Sequence, residues 1–249
     1  MKKYELTSET KVINGVELHR IKALESFGNI KEGELGGWIE NEKNLSQYGD
    51  AWVGGDATVF GNAEVFGNAR VSGNAKVSGN ATVDEHATVW GNATVCGYAT
   101  VYGYAKVDEH ATVWGNATVC GYATVYGYAT VDEHATVDGY ATVCGYAKVF
   151  ENAKIHGNAT VFENAKVDGY AIISRDAEVR GKEDYIVFKN WWSSGRYFTW
   201  TRSNNKWKVG CFYGSGEELI AKAYKDSEKS GREYECVVKY VESILKEEK

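Results

Sequence analysis

Proline is absent from this 249-residue chain, and methionine occurs only once. No apolar run is long enough to cross a bilayer, and the first residues lack the apolar core of a secretory signal peptide. These absences predict neither a membrane span nor a secreted product. The absence of proline favours an architecture that needs every backbone N–H group, as stacked strands do.

Cysteine usage and charge narrow the class of protein further. The five cysteines include no Cys-x-x-Cys pair, and their odd number predicts free thiols in a reducing cytoplasm. Acidic residues outnumber basic ones by 34 to 28, which argues against a chain that is a nucleic-acid binder along its whole length.

What the chain has in excess is a six-residue repeat, Val-x-Gly-Asn-Ala-x, as at residues 59–64. An aliphatic residue occurs at every sixth position from Val53 to Val179, and an alanine follows four places later from Ala57 to Ala177. A fixed short period is typical of a solenoid, whose repeats bury their apolar faces only by stacking on one another.

This repeat predicts short strands joined by sharp corners. If the Gly-Asn pair turns a corner, Val and Ala can both point inward, while the residues that flank Val point outward. Three repeats to a triangular coil make 18 residues, so the 21 complete repeats predict about seven coils of a parallel β-helix. We therefore predict a mainly β fold.

The repeat resembles that of the hexapeptide-repeat family, whose members form left-handed parallel β-helices and include many acyltransferases. The resemblance covers about half of the chain and departs from the usual family pattern in placing Gly third rather than second. It implies a left-handed helix, although the general rule for parallel crossovers favours the right hand.

Composition divides the chain into three predicted parts: a small N-terminal cap (1–49), the β-helix (50–181) and an aromatic-rich α+β C-terminal domain (182–249). Their net charges are −1, −7 and +2, so the negative charge lies on the helix. Caps are expected because the open ends of a solenoid would pair with other chains. Within the first cap, residues 10–21 predict a hairpin and residues 35–39 predict a bulky plug.

The C-terminal domain is predicted to combine a small sheet with two helices. Residues 185–213 predict three short aromatic strands separated by turns. The two helices that follow are each predicted to begin with a capping box, Ser215-x-x-Glu218 and Ser230-x-x-Glu233.

Two patterns with a 24-residue spacing suggest chemistry, but their geometry argues against it. Asp-Glu-His occurs at 84–86, 108–110 and 132–134, and the same spacing separates the cysteines at 96, 120 and 144. Because a coil has 18 residues, successive copies fall on different corners or faces. We therefore predict no metal site, no disulfide and no cysteine nucleophile.

Residues 18 apart are expected to stack, which places aromatic rings in columns. One predicted column contains His86, Tyr104, Tyr122 and Tyr140, and another contains His110, Tyr128 and Tyr146. Such a ladder either stiffens the rod or offers rigid amphipathic rings to a partner. The candidate protein-binding residues are Tyr104, Tyr122, Tyr140, Trp90 and Trp114.

A nucleic-acid interface in the C-terminal domain is an alternative. Basic residues that alternate with aromatic rings can hold a single strand by charge and stacking. In the other interpretation, these rings form the core that a domain this small needs. The candidate residues are Lys189, Arg196, Arg202, Lys206, Lys208, Trp192 and Trp200.

Acyl transfer is a second alternative, implied only by the hexapeptide-repeat resemblance. Those enzymes typically carry a loop that interrupts the coils and bears a catalytic His, whereas no loop interrupts residues 53–179 here. His156 has no carboxylate near it in the sequence. We expect no catalytic residue, no cofactor and no small-molecule substrate.

The whole chain also resembles uncharacterised accessory proteins of phages and prophages of Gram-positive bacteria, which share Leu-Gly-Gly-Trp-Ile-Glu (35–40) and a Trp-rich segment such as 190–195. This resemblance implies a protein in the cytoplasm of an infected or lysogenic bacterial host, and the uninterrupted repeat predicts that it is not an enzyme. We expect it to bind and inhibit host machinery, in an anti-defence role such as that of an anti-CRISPR protein. The partner would be a protein or a protein–nucleic-acid complex, met by surface binding or nucleic-acid mimicry, and the chain could also form homo-oligomers.

Overall fold

The computed structural model, which describes residues 2–247, contains a parallel β-helix with three faces. Each strand inside the helix pairs in parallel with strands of the coils before and after it, as Thr88 does with Arg70 and Lys106. The predicted fold class, a mainly β chain with a parallel β-helix and a C-terminal α+β part, is confirmed.

We name the faces A, B and C in the order in which the repeats reach them. Face A has the strands Trp52–Val53, Arg70–Val71, Thr88–Val89, Lys106–Val107, Thr124–Val125, Thr142–Val143, Thr160–Val161 and Glu178–Val179. Face B has Leu35–Ile39, Thr58–Val59, Lys76–Val77, Thr94–Val95, Thr112–Val113, Thr130–Val131, Lys148–Val149 and Lys166–Val167. Face C has Glu64–Val65, Thr82–Val83, Thr100–Val101, Thr118–Val119, Thr136–Val137, Lys154–Gly157 and Ile172–Arg175.

The helix has about eight coils, one more than the repeats predict. Leu35–Ile39, predicted as a plug, is itself the first strand of face B and pairs in parallel with Thr58–Val59. Leu45 adds a bridge to Val65 at the start of face C. A segment without the six-residue repeat therefore forms the first coil.

The core of the helix consists of the inward Val and Ala rows, whose members are at most 1 % exposed. Glycine at the third position takes a left-handed backbone conformation, with φ of +72° at Gly97. A Cβ on Gly97 would also lie 2.9 Å from the carbonyl oxygen of Gly115 in the next coil. Both constraints explain why the corner favours glycine.

The N-terminal segment extends face B by an antiparallel hairpin, which confirms the hairpin predicted from residues 10–21. Its strands are Tyr4–Ile13 and Val16–Ala23, and the second pairs with Leu35–Ile39. Asn14 and Gly15 both have positive φ, 53° and 80°, as a two-residue hairpin turn requires. A short 3₁₀ helix, Glu42–Asn44, follows.

The C-terminal segment begins with a 3₁₀ helix, Lys182–Asp184, and forms four antiparallel strands rather than the three predicted. The strands are Tyr185–Lys189, Tyr197–Thr201, Lys206–Val209 and Phe212–Gly214, and they are followed by helices α1 (Gly216–Asp226) and α2 (Glu228–Glu247). The prediction missed the last strand because it is short and follows a tight turn at Gly210, where φ is +55°. Neither described helix is long and apolar enough to span a membrane.

One of the two predicted capping boxes is correct. The Ser215 hydroxyl accepts from the Glu218 N–H at the start of α1, and the Glu218 carboxylate accepts from the Ser215 N–H. The box predicted at Ser230 is wrong, because α2 begins at Glu228 and contains Ser230. The Ser227 hydroxyl, 3.1 Å from the Ser230 nitrogen, accepts that N–H and allows the helix to start earlier.

The C-terminal sheet has two different faces. One packs on the helices and forms an aromatic core that includes Phe198, Trp200 and Trp207. The other lies against the last coils, where Thr199 accepts a hydrogen bond from the Ile172 N–H at 2.9 Å and Tyr185 donates to the Lys166 carbonyl at 3.1 Å. The sheet therefore covers the end of face C.

Candidate interaction surfaces

Two corners of the β-helix carry stacked aromatic ladders, as the 18-residue spacing predicts. On the corner between faces C and A, the rings of His86, Tyr104, Tyr122 and Tyr140 follow one another at centroid distances of 4.6, 4.9 and 4.9 Å. On the corner between faces A and B, His110, Tyr128 and Tyr146 are separated by 4.7 and 5.1 Å. The interplanar angles are 2–5°, so each ladder is a continuous stack.

Both ladders border the same face. A strand of face A follows the first corner, and the second corner follows that strand, so the ladders run along opposite edges of face A. Between them lie Trp90, Asp108, Tyr126 and Cys144, one from each of four successive coils. We call this area, from residue 86 to residue 146, the aromatic face.

The aromatic face is accessible to solvent. Its seven large aromatic residues, which are Trp90, Tyr104, Tyr122, Tyr126, Tyr128, Tyr140 and Tyr146, are 37–64 % exposed. Of the residues predicted for protein binding, Trp90, Tyr104, Tyr122 and Tyr140 lie together here. Trp114 is also exposed, at 46 %, but it follows a strand of face B and lies outside the aromatic face.

Stacking decides which part of each ring a partner can reach. A ring inside a ladder has its two sides covered by the rings before and after it, so it offers its outer edge and hydroxyl group. Such ladders are poorly suited to stack on nucleic-acid bases, which need a free ring side. Amphipathic ring edges in a contiguous exposed patch are instead typical of protein–protein contact.

The three Asp-Glu-His sets form corners of the β-helix. The glutamates Glu85, Glu109 and Glu133 take the left-handed position of glycine, with φ between 54° and 57°. The preceding aspartate accepts a hydrogen bond from each glutamate N–H. The three histidines lie on three different corners, as predicted, and no cluster of three His, Cys, Asp or Glu side chains that could hold a metal occurs within residues 2–247.

The repeated cysteines also lie on three different faces and are free thiols. Cys120 and Cys144 each contact a tyrosine of the preceding coil, and the hydrogen bond to the thiol raises the pKa of Tyr102 and of Tyr126. Burial raises the pKa of the Cys120 thiol, which disfavours the thiolate and hence nucleophilic chemistry.

His156 lies between two polar residues that are distant from it in the sequence and adjacent in the stack of coils. The 18-residue stacking places Asp138 in the coil before it, and Ser174 pairs with His156 in the coil after it. The order Asp-His-Ser has the composition of a catalytic triad, but Ser174 is only 2 % exposed and its hydroxyl has no hydrogen-bond partner in the described structure. Burial lowers the pKa of His156, and Asp138 opposes that shift.

The C-terminal aromatic residues proposed for strand binding are mostly internal. Trp192 is 8 % exposed and Trp200 is 1 % exposed, so neither offers a ring side to a base. The indole N–H of Trp200 donates to Asn205 at 2.9 Å, and Trp192 packs edge-on against Tyr234. Burial agrees with the alternative weighed above, in which these rings form the core of the small domain.

The basic candidates do not form one surface either. Arg202 donates from its Nε to the Glu183 carbonyl at 2.8 Å. Lys206 and Lys208 lie on the sheet face that meets the β-helix, opposite the face of buried Trp207, and both are half-buried. Lys189 and Arg196 are exposed beside the junction between the sheet and the last coils.

The geometry defines the chain as a β-solenoid protein with a capped end and an exposed aromatic face. No protein-family model matches the chain, and no curated protein matches it.

Proposed function

We propose that this protein is a non-enzymatic binding protein that holds a protein partner on its aromatic face. The observation that carries the proposal is the convergence of seven exposed aromatic residues on one face of four successive coils. Isolated exposed rings are ordinary in soluble proteins, whereas a contiguous patch is typical of an interaction site.

The chemistry of the aromatic face supports a protein partner. Lys106 and Asp108 lie between the ladders, so the charges near its centre have opposite signs. Tyrosine and tryptophan dominate the energetics of many protein interfaces because they bury a large area and still offer a polar group. The stacked rings are also already ordered, which lowers the entropy lost on binding.

The test compares two sets of tyrosine substitutions. The triple variant Tyr104→Ser, Tyr122→Ser and Tyr140→Ser removes one ladder and should abolish co-purification of a stoichiometric protein from bacterial lysate. The control Tyr48→Ser with Tyr98→Ser removes tyrosines that are 86 % and 66 % exposed but lie outside the aromatic face. A partner retained by the triple variant, or lost equally with the control, would contradict the proposal.

An inhibitory role against host machinery stays a prediction that rests on the phage-protein resemblance. If the captured partner is a defence nuclease, the purified protein should lower its cleavage rate, and the triple variant should not. Unchanged cleavage at a saturating concentration of the protein would contradict inhibition but not binding.

A further inference from the structure

A cleft runs along the junction between the last coils and the C-terminal sheet. Its first chamber, about 420 Å³, is lined by Asn152, Lys154, Tyr170, Ile172, Arg196 and Tyr197, with Gly195 and Gly210. A second chamber of about 500 Å³ lies beyond Arg196 and Gly210 and reaches Lys222 on α1. Both volumes are in the range of small-molecule sites.

The cleft is basic in a protein that is acidic overall. Lys154 and Arg196 line the first chamber, and Arg196 and Lys222 line the second. No Asp or Glu among the described residues lines either chamber, and none within residues 2–247 forms an ion pair with Lys154, Arg196 or Lys222. Positive charges gathered without counter-charges favour the binding of an anion.

An aromatic wall stands beside these charges. Tyr170 belongs to the last complete corner between faces B and C, and Tyr197 from the C-terminal sheet stacks on it with ring centroids 4.3 Å apart. The Lys189 ammonium lies 5.7 Å from the centroid of the Tyr197 ring. The two stacked rings offer their edges and hydroxyl groups, which suit edge-on contact with the planar part of a ligand, and the neighbouring charges suit its anionic part.

The loop that carries Arg196 is held in place from within the domain. Buried Asn190 accepts hydrogen bonds from Ser193 and donates to the Tyr234 hydroxyl at 2.9 Å. The backbone of Asn190 also pairs with Arg196 and Gly195, at 2.8 and 2.7 Å. The backbone of Arg196 is therefore held in a preformed loop, which reduces the entropic cost of ordering that loop on binding.

We infer that this cleft binds a small organic anion that carries a planar ring, of the chemical class of a nucleoside monophosphate. Arg196 and Lys154 would hold the phosphate, and the Tyr170–Tyr197 wall would contact the ring. This inference is independent of the aromatic face and adds a small-molecule ligand where the sequence predicts no small-molecule substrate.

Isothermal titration calorimetry of the full chain with AMP, adenosine and inorganic phosphate tests the inference. AMP should bind more tightly than either fragment, because only AMP uses both the charges and the wall. Arg196→Gln should weaken AMP binding roughly tenfold, since it removes a hydrogen-bond donor with a full charge. Arg196→Lys should recover part of the loss, and Tyr197→Leu should weaken AMP but not phosphate.

The matched control is Arg232→Gln, which removes an exposed arginine on α2 that does not line the cleft. It should bind AMP as the unchanged protein does. Thermal unfolding of each variant separates lost binding from lost folding. Absence of AMP binding, equal weakening by the control, or tighter binding of a short oligonucleotide than of AMP would overturn the inference.

Discussion

The two ends of the β-helix present opposite backbone groups, and the chain closes them with opposite chemistry. Around the corners, N–H groups donate to carbonyls of the next coil, as Trp90 does to Val107 at 3.0 Å and Asn92 to Glu109 at 2.6 Å. The first coil therefore has carbonyls that receive no donor from an earlier coil. The last coil has N–H groups that meet no later carbonyl.

The N-terminal segment supplies side-chain donors to the carbonyls. The Lys3 ammonium donates to Ala51 at 2.8 Å and to Gly49 at 3.2 Å. The Tyr4 hydroxyl donates to Leu45 at 2.6 Å, and the Asn44 amide donates to Gly61 and Ala63 at 3.1 and 2.8 Å. These three side chains are buried, so no water can take their place.

The C-terminal segment supplies acceptors to the N–H groups. The Thr199 hydroxyl accepts from Ile172 at 2.9 Å, and the Ser203 hydroxyl accepts from Glu178 at 2.8 Å. The Asp184 carboxylate accepts from Arg180 and Gly181, at 2.7 and 3.0 Å. A solenoid cap thus has to match the polarity of its end, in addition to covering the apolar core.

The largest loss of stability is expected at the N-terminal end of the β-helix, where side chains donate to the open carbonyls. Asn44→Leu leaves the Gly61 and Ala63 carbonyls buried without a donor and should lower the free energy of unfolding by about 3 kcal/mol. Urea unfolding followed by circular dichroism measures it. Asn62→Leu is the control, since Asn62 is exposed and bonds only to side chains of Lys43 and Asn80. Equal losses in both variants would show that the carbonyls need no cap.

At the C-terminal end of the β-helix, side chains accept from the open N–H groups. Thr199→Val keeps the shape of one such side chain and removes the acceptor of the Ile172 N–H. Because Thr199 is fully buried, we expect a loss of about 2 kcal/mol in the free energy of unfolding. Thr124→Val, on face A, should change it by less than about 0.5 kcal/mol. A loss near zero for Thr199→Val would mean that this end tolerates an open N–H group.

Lys3 gives a further test of the N-terminal end, because its contribution to the free energy of unfolding depends on pH. Burial lowers the pKa of Lys3 from 10.5 to about 8, so between these values the unfolded chain holds the proton more tightly. The stability that Lys3 contributes must therefore rise as the pH increases through that range. Lys3→Met should cost about 1 kcal/mol at pH 7 and more at pH 9.5.

Lys2→Met is the control, because it removes an exposed lysine next to Lys3 in the sequence. Urea unfolding of both variants and the unchanged protein at the two pH values supplies the comparison. A constant difference between Lys3→Met and the unchanged protein would contradict the buried ammonium.

The smallest effect is expected at His156, under the C-terminal sheet. Burial lowers its pKa below the ordinary 6.5, Asp138 opposes the shift, and Lys208, Lys154 and Arg175 add to it. The unfolded chain therefore binds the proton first, and stability should fall as the pH drops below about 6.5. His156→Gln should flatten this part of the pH profile, and His134→Gln, on an exposed corner, is the control for the loss of a histidine.

Prediction from the sequence succeeded wherever a residue acts through its place in the repeat. The inward Val and Ala rows, the hairpin at Asn14-Gly15 and the two ring ladders follow from a fixed period and from turn chemistry. The 18-residue spacing placed Tyr104, Tyr122 and Tyr140 on one corner correctly. Trp90 and Trp114, which the sequence analysis names together as candidates, follow strands of different faces.

Prediction was weakest where no period applies. The first coil, formed by Leu35–Ile39 and Leu45, has no six-residue repeat, and the start of α2 depends on one hydroxyl at Ser227. Composition alone does not determine that Trp192 and Trp200 are buried, because an amphipathic ring fits a core as well as a surface.

The sequence alone determined the β-helix, because an 18-residue period stacks like residues upon like residues and needs no distant contact to do so. Only the tertiary structure decided that Ser174 is buried beside His156 and that Trp192 and Trp200 are internal. It also placed Lys154, Tyr170, Arg196 and Tyr197 around one cleft. These arrangements depend on how the chain closes each coil and on how the C-terminal sheet docks, which are long-range contacts that a local repeat does not encode.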